Sequence, residues 1–344
     1  MTKRRHRSAA RTVFRAATLT LSLAAAATFA VACGNGTDTT EPGAGAAAPV
    51  EEGAFPVTID HAYGSTPITE APQRVAAVGL ADADALLALD VTPVLVTPWS
   101  GATDAGVGEW ALPELDGARP VVHDYTDGIN IELIASTSPD LIVAINQSVD
   151  EQTYDQLSSI APTIVRPAEA IDWGVSWQDA TRIIGSAVGQ PARADEIIAE
   201  TEELFAQVRS DHPEIVEKTG AVMLLNQAGG YYTYTEEDGR GQFMKALGFE
   251  LPGQLRALED GQFYVDVSAE NAQLLETDIL IVLPNHDAAG VLSRDDAFQA
   301  TGVARDGRYI VVDAPTGIAM SMATVLSIPY ALDRVVPEIT ERIS

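Results

Sequence analysis

The chain has 344 residues, of which 46% are hydrophobic and 20% charged, so wholesale disorder is excluded and one large or two ordinary domains are expected. Its 49 acidic residues outnumber 21 Lys and Arg residues, and the net charge of −28 disfavours binding to nucleic acid or anionic lipid. A single cysteine excludes an intrachain disulfide and any multi-cysteine metal or cluster site.

The N-terminal segment has the pattern of a bacterial export signal. Residues 1–15 hold six basic residues and no acid, and a small, apolar stretch follows from Ala16 to Ala32. A membrane span is one alternative to a cleaved signal, but about 17 alanine-rich residues are short and weakly hydrophobic for a span. The ending Ala30-Val31-Ala32-Cys33-Gly34 resembles a lipobox, so residues 1–32 are expected to be removed and Cys33 to be lipidated. An ordinary signal with a chance cysteine is the other alternative.

A flexible tether is predicted for residues 33–54, because this segment is small, polar and proline-bearing. Loss of residues 1–32 leaves 15 basic residues against 49 acidic ones, a net charge of −34. We therefore expect an exported, strongly acidic monomer, held by its lipid on the outer face of the cytoplasmic membrane.

Beyond Phe55, short β-branched runs alternate with longer helical patterns such as Asp82 to Leu89, which predicts an α/β fold with mainly parallel sheets. The predicted strands are Val75 to Val78, Val94 to Thr97, Leu141 to Ile145, Thr163 to Val165, Ala221 to Leu225, Ile279 to Leu283 and Tyr309 to Val312.

Two helices are predicted in the middle of the chain, over Gln178 to Val188 and Ala192 to Asp211, with a break at residues 189–191. The second helix has one apolar stripe with helical spacing, formed by Ile197, Ile198, Thr201, Leu204, Phe205 and Val208. At about 20 residues it would span about 30 Å and bridge two domains. We therefore predict an N-terminal lobe over residues 55–190, an interlobe helix over 191–212 and a C-terminal lobe over 213–344.

An internal echo favours two pseudo-symmetric lobes. Glu132 is followed eight residues later by Asp140 and a buried strand, and Glu270 is followed at the same distance by Asp278 and another. In both places a short helix is predicted to start at the glutamate, with Asn130 and Ser268 as N-caps. A carboxylate in the first helical turn is favoured by the helix dipole and stays at the surface.

Five segments carry a family resemblance, namely Pro72 to Trp99, Asp127 to Asn146, Tyr154 to Ile164, Gly239 to Phe249 and Met322 to Pro337. They resemble, in the same order, the iron-siderophore substrate-binding lipoproteins of bacterial ABC importers, which belong to the class III periplasmic binding proteins. The chain departs from the family at Asp90, usually glycine, and at Ala83, where an acid is common. The resemblance implies two lobes joined by a rigid helix, with the ligand in the cleft between them.

A ferric siderophore coordinates its own iron, so the protein needs aromatic walls and hydrogen bonds, without metal ligands or a cofactor of its own. Loops after strands build such clefts in open α/β sheets. The candidates that follow predicted strands are Trp99, Asn146, Gln147, Tyr231 and Tyr232. The resemblance adds Tyr125, Arg240, Tyr264 and Met320, and Tyr264, like Trp99 and Tyr232, is predicted to lie in a loop. The alternative for each aromatic residue is core packing or an ordinary exposed position, and Arg240 also suits the start of a helix.

The sparse basic residues favour a ferric hydroxamate over a strongly anionic catecholate complex. The alternative function is a haem-binding protein of the same fold, with His286 and Met320 as haem ligands. A surface adhesin or signalling ectodomain is a further possibility. The tryptophans Trp110, Trp173 and Trp177 are expected to be structural.

An enzyme is not expected, because the chain lacks the Gly-x-Ser-x-Gly, P-loop and HExxH motifs, and no histidine pair has zinc or manganese spacing. Single carboxylates such as Asp82 and Glu109 are expected on the solvated surface. The resemblance also implies that Glu132 and Glu270 dock onto arginines of an ABC permease. The alternative is that each glutamate only favours its own helix, by about 0.3 to 1 kcal/mol.

Overall fold

A computed structural model describes residues 49–99, 101–259 and 261–343. The predicted signal, Cys33 and nearly all of the predicted tether lie outside these residues. None of the helices in the described ranges is both long and apolar enough to cross a membrane.

The N-terminal lobe is built on a wholly parallel sheet. A short antiparallel hairpin precedes it, formed by β1 (Val57–His61) and β2 (Gly64–Ile68). The sheet has the order β5-β4-β3-β6-β7 and consists of β3 (Val75–Ala77), β4 (Leu95–Val96), β5 (Val121–Val122), β6 (Leu141–Ala144) and β7 (Thr163–Val165). The helices between these strands are α1 (Asp82–Ala88), α2 (Ile131–Ser136) and α3 (Glu151–Ser158), with 3₁₀ turns at Glu109–Ala111 and Pro113–Leu115.

The two helices predicted in the middle of the chain are confirmed as α4 (Trp177–Ala187) and α5 (Pro191–Asp211). The Ser176 hydroxyl caps α4 by accepting a hydrogen bond from the Asp179 amide at 3.1 Å. The long helix buries Ile197, Ile198, Thr201 and Phe205 as predicted, but Leu204 is 39% exposed. The predicted stripe was one residue too wide on that side, because Leu204 lies beyond the edge of the packed face.

The C-terminal lobe has a mixed sheet of order β10-β9-β8-β11-β12, in which β8, β11 and β12 are parallel and the other two pairings are antiparallel. Its strands are β8 (Gly220–Leu225), β9 (Tyr231–Tyr234), β10 (Tyr264–Val267), β11 (Ile279–Val282) and β12 (Tyr309–Val311). Its helices are α6 (Gly239–Leu247), α7 (Gly253–Arg256), α8 (Ala288–Leu292), α9 (Asp296–Gln299), α10 (Gly302–Arg305), α11 (Ala314–Met322) and α12 (Ser327–Ile343), with 3₁₀ segments at Pro213–Ile215 and Ala269–Leu275.

The loops predicted around Tyr232 and Tyr264 are wrong, because both residues lie in the antiparallel strands β9 and β10. The chain reverses at Gly229 and Gly230, whose φ angles of 95° and 100° favour glycine, and β9 then returns along β8. This reversal places the tyrosines on a sheet rather than in a loop.

The internal echo corresponds to equivalent hydrogen bonds in the two sheets. The Asp140 carboxylate accepts from the amides of Gln73 and Arg74, both at 2.8 Å, and so ties the start of β6 to the start of β3. In the C-terminal lobe the Asp278 carboxylate accepts from the amide and hydroxyl of Thr219, also at 2.8 Å, where β11 meets β8. The predicted α/β fold with two related lobes is therefore confirmed.

Candidate functional site

A cleft that is open to solvent lies between the two lobes. The N-terminal lobe and the segment before the interlobe helix contribute Leu80, Ala81, Trp99, Asn146, Trp173, Gly174, Val175 and Trp177. The C-terminal lobe contributes Glu237, Asp238, Gly239, Arg240, Gln242, Ser321, Met322 and Ala323. Of the residues predicted to bind the ligand, the structure brings Trp99, Asn146 and Arg240 together in this cleft.

Asn146 is held in the cleft by the buried carboxylate of Asp82. One oxygen of Asp82 accepts from the Ile145 amide at 2.8 Å, and the other accepts from the backbone and side-chain nitrogens of Asn146 at 3.2 and 3.0 Å. The side-chain nitrogen of Asn146 is thus engaged by Asp82, whereas its amide oxygen accepts no hydrogen bond from the described residues. Burial raises the pKa of Asp82 to about 6, against the opposing effect of these hydrogen bonds. The predicted solvated position of Asp82 is wrong, because its carboxylate satisfies the donors that follow β6.

Aromatic side chains form much of the N-terminal side of the cleft. Trp99 follows β4, as predicted, and is half-buried. Trp173 is 36% exposed and packs edge-on against Tyr125, with ring centroids 6.4 Å apart. Tyr125 therefore supports a cleft residue without itself being one of the lining side chains. Trp177, at the start of α4, lies beside the cleft and also packs against the cores of both lobes.

The loop that carries Trp173 is fixed by polar contacts on one side. Asp172 forms an ion pair with Arg166 and accepts from the Ser148 hydroxyl at 2.7 Å. Trp173 itself has a φ of 67°, which is uncommon for a residue other than glycine. The sequence predicted only structural roles for Trp173 and Trp177, since neither directly follows a predicted strand, and it offered no signal that they line the cleft.

The C-terminal side of the cleft is a charged turn between β9 and α6. Asp238 caps α6 by accepting from the Arg240 amide at 2.9 Å, and it also accepts from Nε of Arg240 at 2.7 Å. The Arg240 guanidinium lies 3.7 Å from the centroid of the Tyr234 ring. Gly241 allows this tight turn, because a Cβ there would lie 1.9 Å from the carbonyl oxygen of Thr235. Arg240 thus lies at the helix start and also lines the cleft, and its contact with a ligand stays a prediction.

Tyr232 and Tyr264 extend this side of the molecule beyond Arg240. Tyr264 is paired with Tyr234 across the two antiparallel strands, and its ring lies 4.7 Å from that of Tyr232. Tyr264 is 41% exposed, but neither tyrosine lines the cleft itself. The two rings form an aromatic surface next to the residue that Arg240 stacks on.

Three other candidates are buried away from the cleft. Gln147 is 1% exposed, and Tyr231 is 1% exposed with its hydroxyl donating to Asp295. Successive side chains of a strand point to opposite faces of the sheet. The side chain of Tyr231 therefore points into the core, whereas that of Tyr232 lies on the other face. Met320 is 0% exposed in the core of the C-terminal lobe, and the cleft is lined instead by Met322. Met320 and Met322 are two residues apart in α11 and lie on different faces of the helix. The sequence did not show which of the two faces the cleft.

A second buried carboxylate joins the lobes beside the cleft. Asp84, two residues after Asp82 in α1, accepts from Trp110 Nε1 at 2.7 Å and from the Thr324 hydroxyl, both on its Oδ2 atom. Thr324 follows the cleft residue Ala323, so this contact fixes the C-terminal side to α1. Burial raises the pKa of Asp84 to about 6, against the opposing effect of both hydrogen bonds.

Residues 75–316 match the family of proteins described as periplasmic binding protein. The chain belongs to this family. Its members are substrate-binding proteins and not enzymes, in agreement with the prediction. The chain is 30% identical over 199 residues to the probable siderophore-binding lipoprotein YfiY of Bacillus subtilis, which is 57% of each chain. It is 28% identical to the ferric enterobactin-binding periplasmic protein FepB of Escherichia coli, over 61% of this chain and 67% of FepB.

Solved structures of family members share the fold over nearly their whole length. A periplasmic solute binding protein from Mycobacterium smegmatis is 32% identical with a TM-score of 0.75, over 84% of this chain and 99% of that one. PiaA from Streptococcus pneumoniae, solved with ferrichrome, is 27% identical with a TM-score of 0.73, over 83% and 98%. Sequence alignment spans 57%, 66% and 64% of three curated relatives. The resemblance to siderophore-binding proteins is confirmed.

The residues proposed for haem binding do not meet in this periplasmic binding protein. His286 is solvent-exposed at the start of α8, whereas Met320 is fully buried, and neither lines the cleft. Within residues 49–99, 101–259 and 261–343, no three or more His, Cys, Asp or Glu side chains are grouped to hold a metal ion.

The two glutamates of the internal echo are exposed, each as the second residue of its helical segment. Asn130 caps the helix of Glu132, as predicted, by accepting from the Leu133 amide at 2.9 Å. The Ser268 hydroxyl does not cap the segment of Glu270, because it accepts from the Asn271 side chain at 3.1 Å instead. The two glutamates of the internal echo are therefore exposed to solvent at helix starts, one in each lobe.

Proposed function

We propose that this periplasmic binding protein captures a ferric siderophore of the hydroxamate type in the interlobe cleft and delivers it to an ABC permease. The observation that carries the proposal is the lining of the cleft, which combines three tryptophans with a single arginine. That arginine is already paired with Asp238. A rigid, partly apolar complex with its iron already coordinated suits aromatic walls and few polar groups.

Hydroxamate is favoured because the lining residues offer no cation that is free for an anionic complex. Arg240 is the one Lys or Arg side chain among them, and its charge is offset within the turn. The names of the relatives support the wider class, since YfiY is a probable siderophore-binding lipoprotein and PiaA was solved with ferrichrome.

Titration against a panel of ferric trihydroxamates, ferric catecholates, ferric citrate and haem tests the proposal. We expect saturable quenching of tryptophan fluorescence by ferric hydroxamates, with Trp99, Trp173 and Trp177 as the reporters beside the cleft. A sharp Soret band with haemin, or tighter binding of a catecholate complex, would contradict the proposed ligand.

Glu132 and Glu270 are proposed as the docking residues for the permease. Both carboxylates are exposed, and charge-assisted pairs with arginines on a partner would fix orientation as well as attraction. Charge reversal in the double variant Glu132→Lys with Glu270→Lys is expected to leave ligand affinity intact and to abolish uptake in cells or with reconstituted permease. Normal uptake would exclude docking, and lost ligand binding would place the residues in the ligand site.

Export and lipidation at Cys33 complete the proposal, which places the protein on the outer face of the cytoplasmic membrane. YfiY, a lipoprotein by name, supports this location. A diacylglyceryl-bearing N-terminal peptide is expected by mass spectrometry, and Cys33→Ala is expected to release protein into the medium. A Cys33→Ala protein that stays uncleaved in the membrane would point to a span at residues 16–32.

A further inference from the structure

The charged side chains at the cleft differ in whether they form an ion pair. Asp238 and Arg240 neutralise each other, with their side chains 12% and 14% exposed. Glu237, the residue before Asp238 in the turn, is exposed, and no hydrogen bond or ion pair engages its carboxylate among the described residues. The lining therefore carries a net negative charge, which Glu237 presents to the ligand.

The opposite side of the cleft adds a hydrogen-bond acceptor. The amide nitrogen of Asn146 donates to Asp82 at 3.0 Å, and the amide oxygen accepts no hydrogen bond from the described residues, so this oxygen is available to a ligand in the cleft that Asn146 lines. An acceptor on one side and an unpaired carboxylate on the other suit a ligand that brings hydrogen-bond donors and positive charge. They do not suit a ligand whose surface carries only oxygen acceptors.

We propose that Glu237 makes the cleft selective for a cationic ferric trihydroxamate, one with an ammonium group outside the iron coordination sphere. This inference rests on the proposed function. Three hydroxamate anions balance the charge of Fe³⁺, so the iron core is neutral and any pendant ammonium sets the net charge. The Glu237 carboxylate attracts that ammonium, whereas Asp238 has its charge committed to Arg240.

The expected selectivity is modest because Glu237 is solvated. Exposed ion pairs contribute little, which corresponds to about a threefold to fivefold preference for the cationic ligand. Raising the salt concentration is expected to reduce this preference, since exposed charges are screened. Shape and apolar contact, which the tryptophans supply, are expected to be the same for neutral and cationic ligands.

Ferrioxamine B and its N-acetylated form are matched probes, because acetylation removes the ammonium charge and leaves the iron coordination unchanged. Calorimetric titration of the purified protein is expected to show tighter binding of ferrioxamine B. The variant Glu237→Gln is expected to bind both probes equally, and Glu237→Lys is expected to prefer the acetylated form. Glu114→Gln, which changes an exposed glutamate outside the cleft lining, is the control and keeps the wild-type preference.

Each other outcome overturns the inference in a distinct way. Equal binding of the two probes by the unaltered protein removes charge selection while leaving hydroxamate binding intact. A preference that persists in Glu237→Gln assigns the selection to another group. Failure of both probes to bind, when another class of ferric complex binds, overturns the proposed function together with the inference.

Discussion

The N-terminal side of the cleft stands at the carboxyl ends of parallel strands, whereas the C-terminal side includes a turn that leaves an antiparallel strand. Trp99 and Asn146 are neutral, and Asn146 is held in place by hydrogen bonds to the buried carboxylate of Asp82. The turn from Glu237 to Arg240 is charged and partly solvated. If the cleft binds a ferric hydroxamate as we propose, the first side is expected to supply rigid shape and most of the affinity, and the second is expected to supply charge selection.

Disrupting the hydrogen bonds of Asp82 is expected to have the largest effect on the protein. In Asp82→Asn, a side-chain NH₂ replaces one of two oxygens that both accept hydrogen bonds, so a buried donor faces another donor. We expect a loss of about 3 kcal/mol in the free energy of unfolding, since each unsatisfied buried group costs about 1 to 3 kcal/mol. Urea denaturation at pH 7 measures this loss. An unchanged unfolding midpoint would mean that the hydrogen bonds of Asp82 do not stabilise the N-terminal side of the cleft.

Truncating the aromatic wall comes next. Trp99→Ala is expected to weaken ligand binding by one to two decades, or about 1.4 to 2.8 kcal/mol, with little effect on folding. Tyr264→Ala is the matched variant on the other lobe and is expected to have a smaller effect, because Tyr264 does not line the cleft. Equal losses in the two variants, measured by titration, would show that the ligand also covers the surface of β9 and β10.

The buried carboxylate of Asp84 at the interlobe contact is expected to make the stability of the protein depend on pH. Burial raises the pKa of Asp84 to about 6 from 3.8, so the folded protein binds more protons than the unfolded chain between these values. The contribution of Asp84 to stability therefore falls as pH rises from about 4 to 6, and it stays low above that. Asp84→Asn keeps an oxygen for Trp110 and Thr324, because both donate to one oxygen of Asp84.

We expect Asp84→Asn to raise the free energy of unfolding by about 1 to 2 kcal/mol at pH 8 and to have little effect at pH 4. Thermal or urea denaturation at the two pH values, beside Asp82→Asn, provides the measurement. Destabilisation of Asp84→Asn at pH 8 would show that the ionised carboxylate itself is needed to hold the lobes together.

The sequence predicted the parts of the molecule that depend on local pattern. The seven strands, the long helix and the repeated glutamates were found because β-branched runs, helical spacing and the echo are visible along the chain. The antiparallel strands β9 and β10 were not found, because β9 enters the sheet through the reversal at Gly229 and Gly230, which returns it along β8, and β10 pairs with β9 only after α6 and α7. Tyr232 and Tyr264 were therefore predicted to lie in loops.

The candidate site was predictable where a residue follows a strand of a parallel sheet, as Trp99 and Asn146 do. Trp173 was missed because its loop is shaped by the contacts of Asp172 with Arg166 and with Ser148, which no local sequence pattern shows. The burial of Asp82 was missed because an aspartate at a helix start is usually solvated. The amides after β6 that need it as an acceptor are far away in the sequence.

The position of iron in a crystal of the protein with a ferric trihydroxamate tests the central claim most directly, since anomalous scattering locates the metal without reference to the protein chain. We expect a single iron peak in the cleft, between Trp99 and Trp173 on one side and the turn at Glu237 on the other. The siderophore is expected to supply every ligand to the metal. An iron peak outside the cleft, or iron coordinated by a side chain of the protein, would contradict the claim.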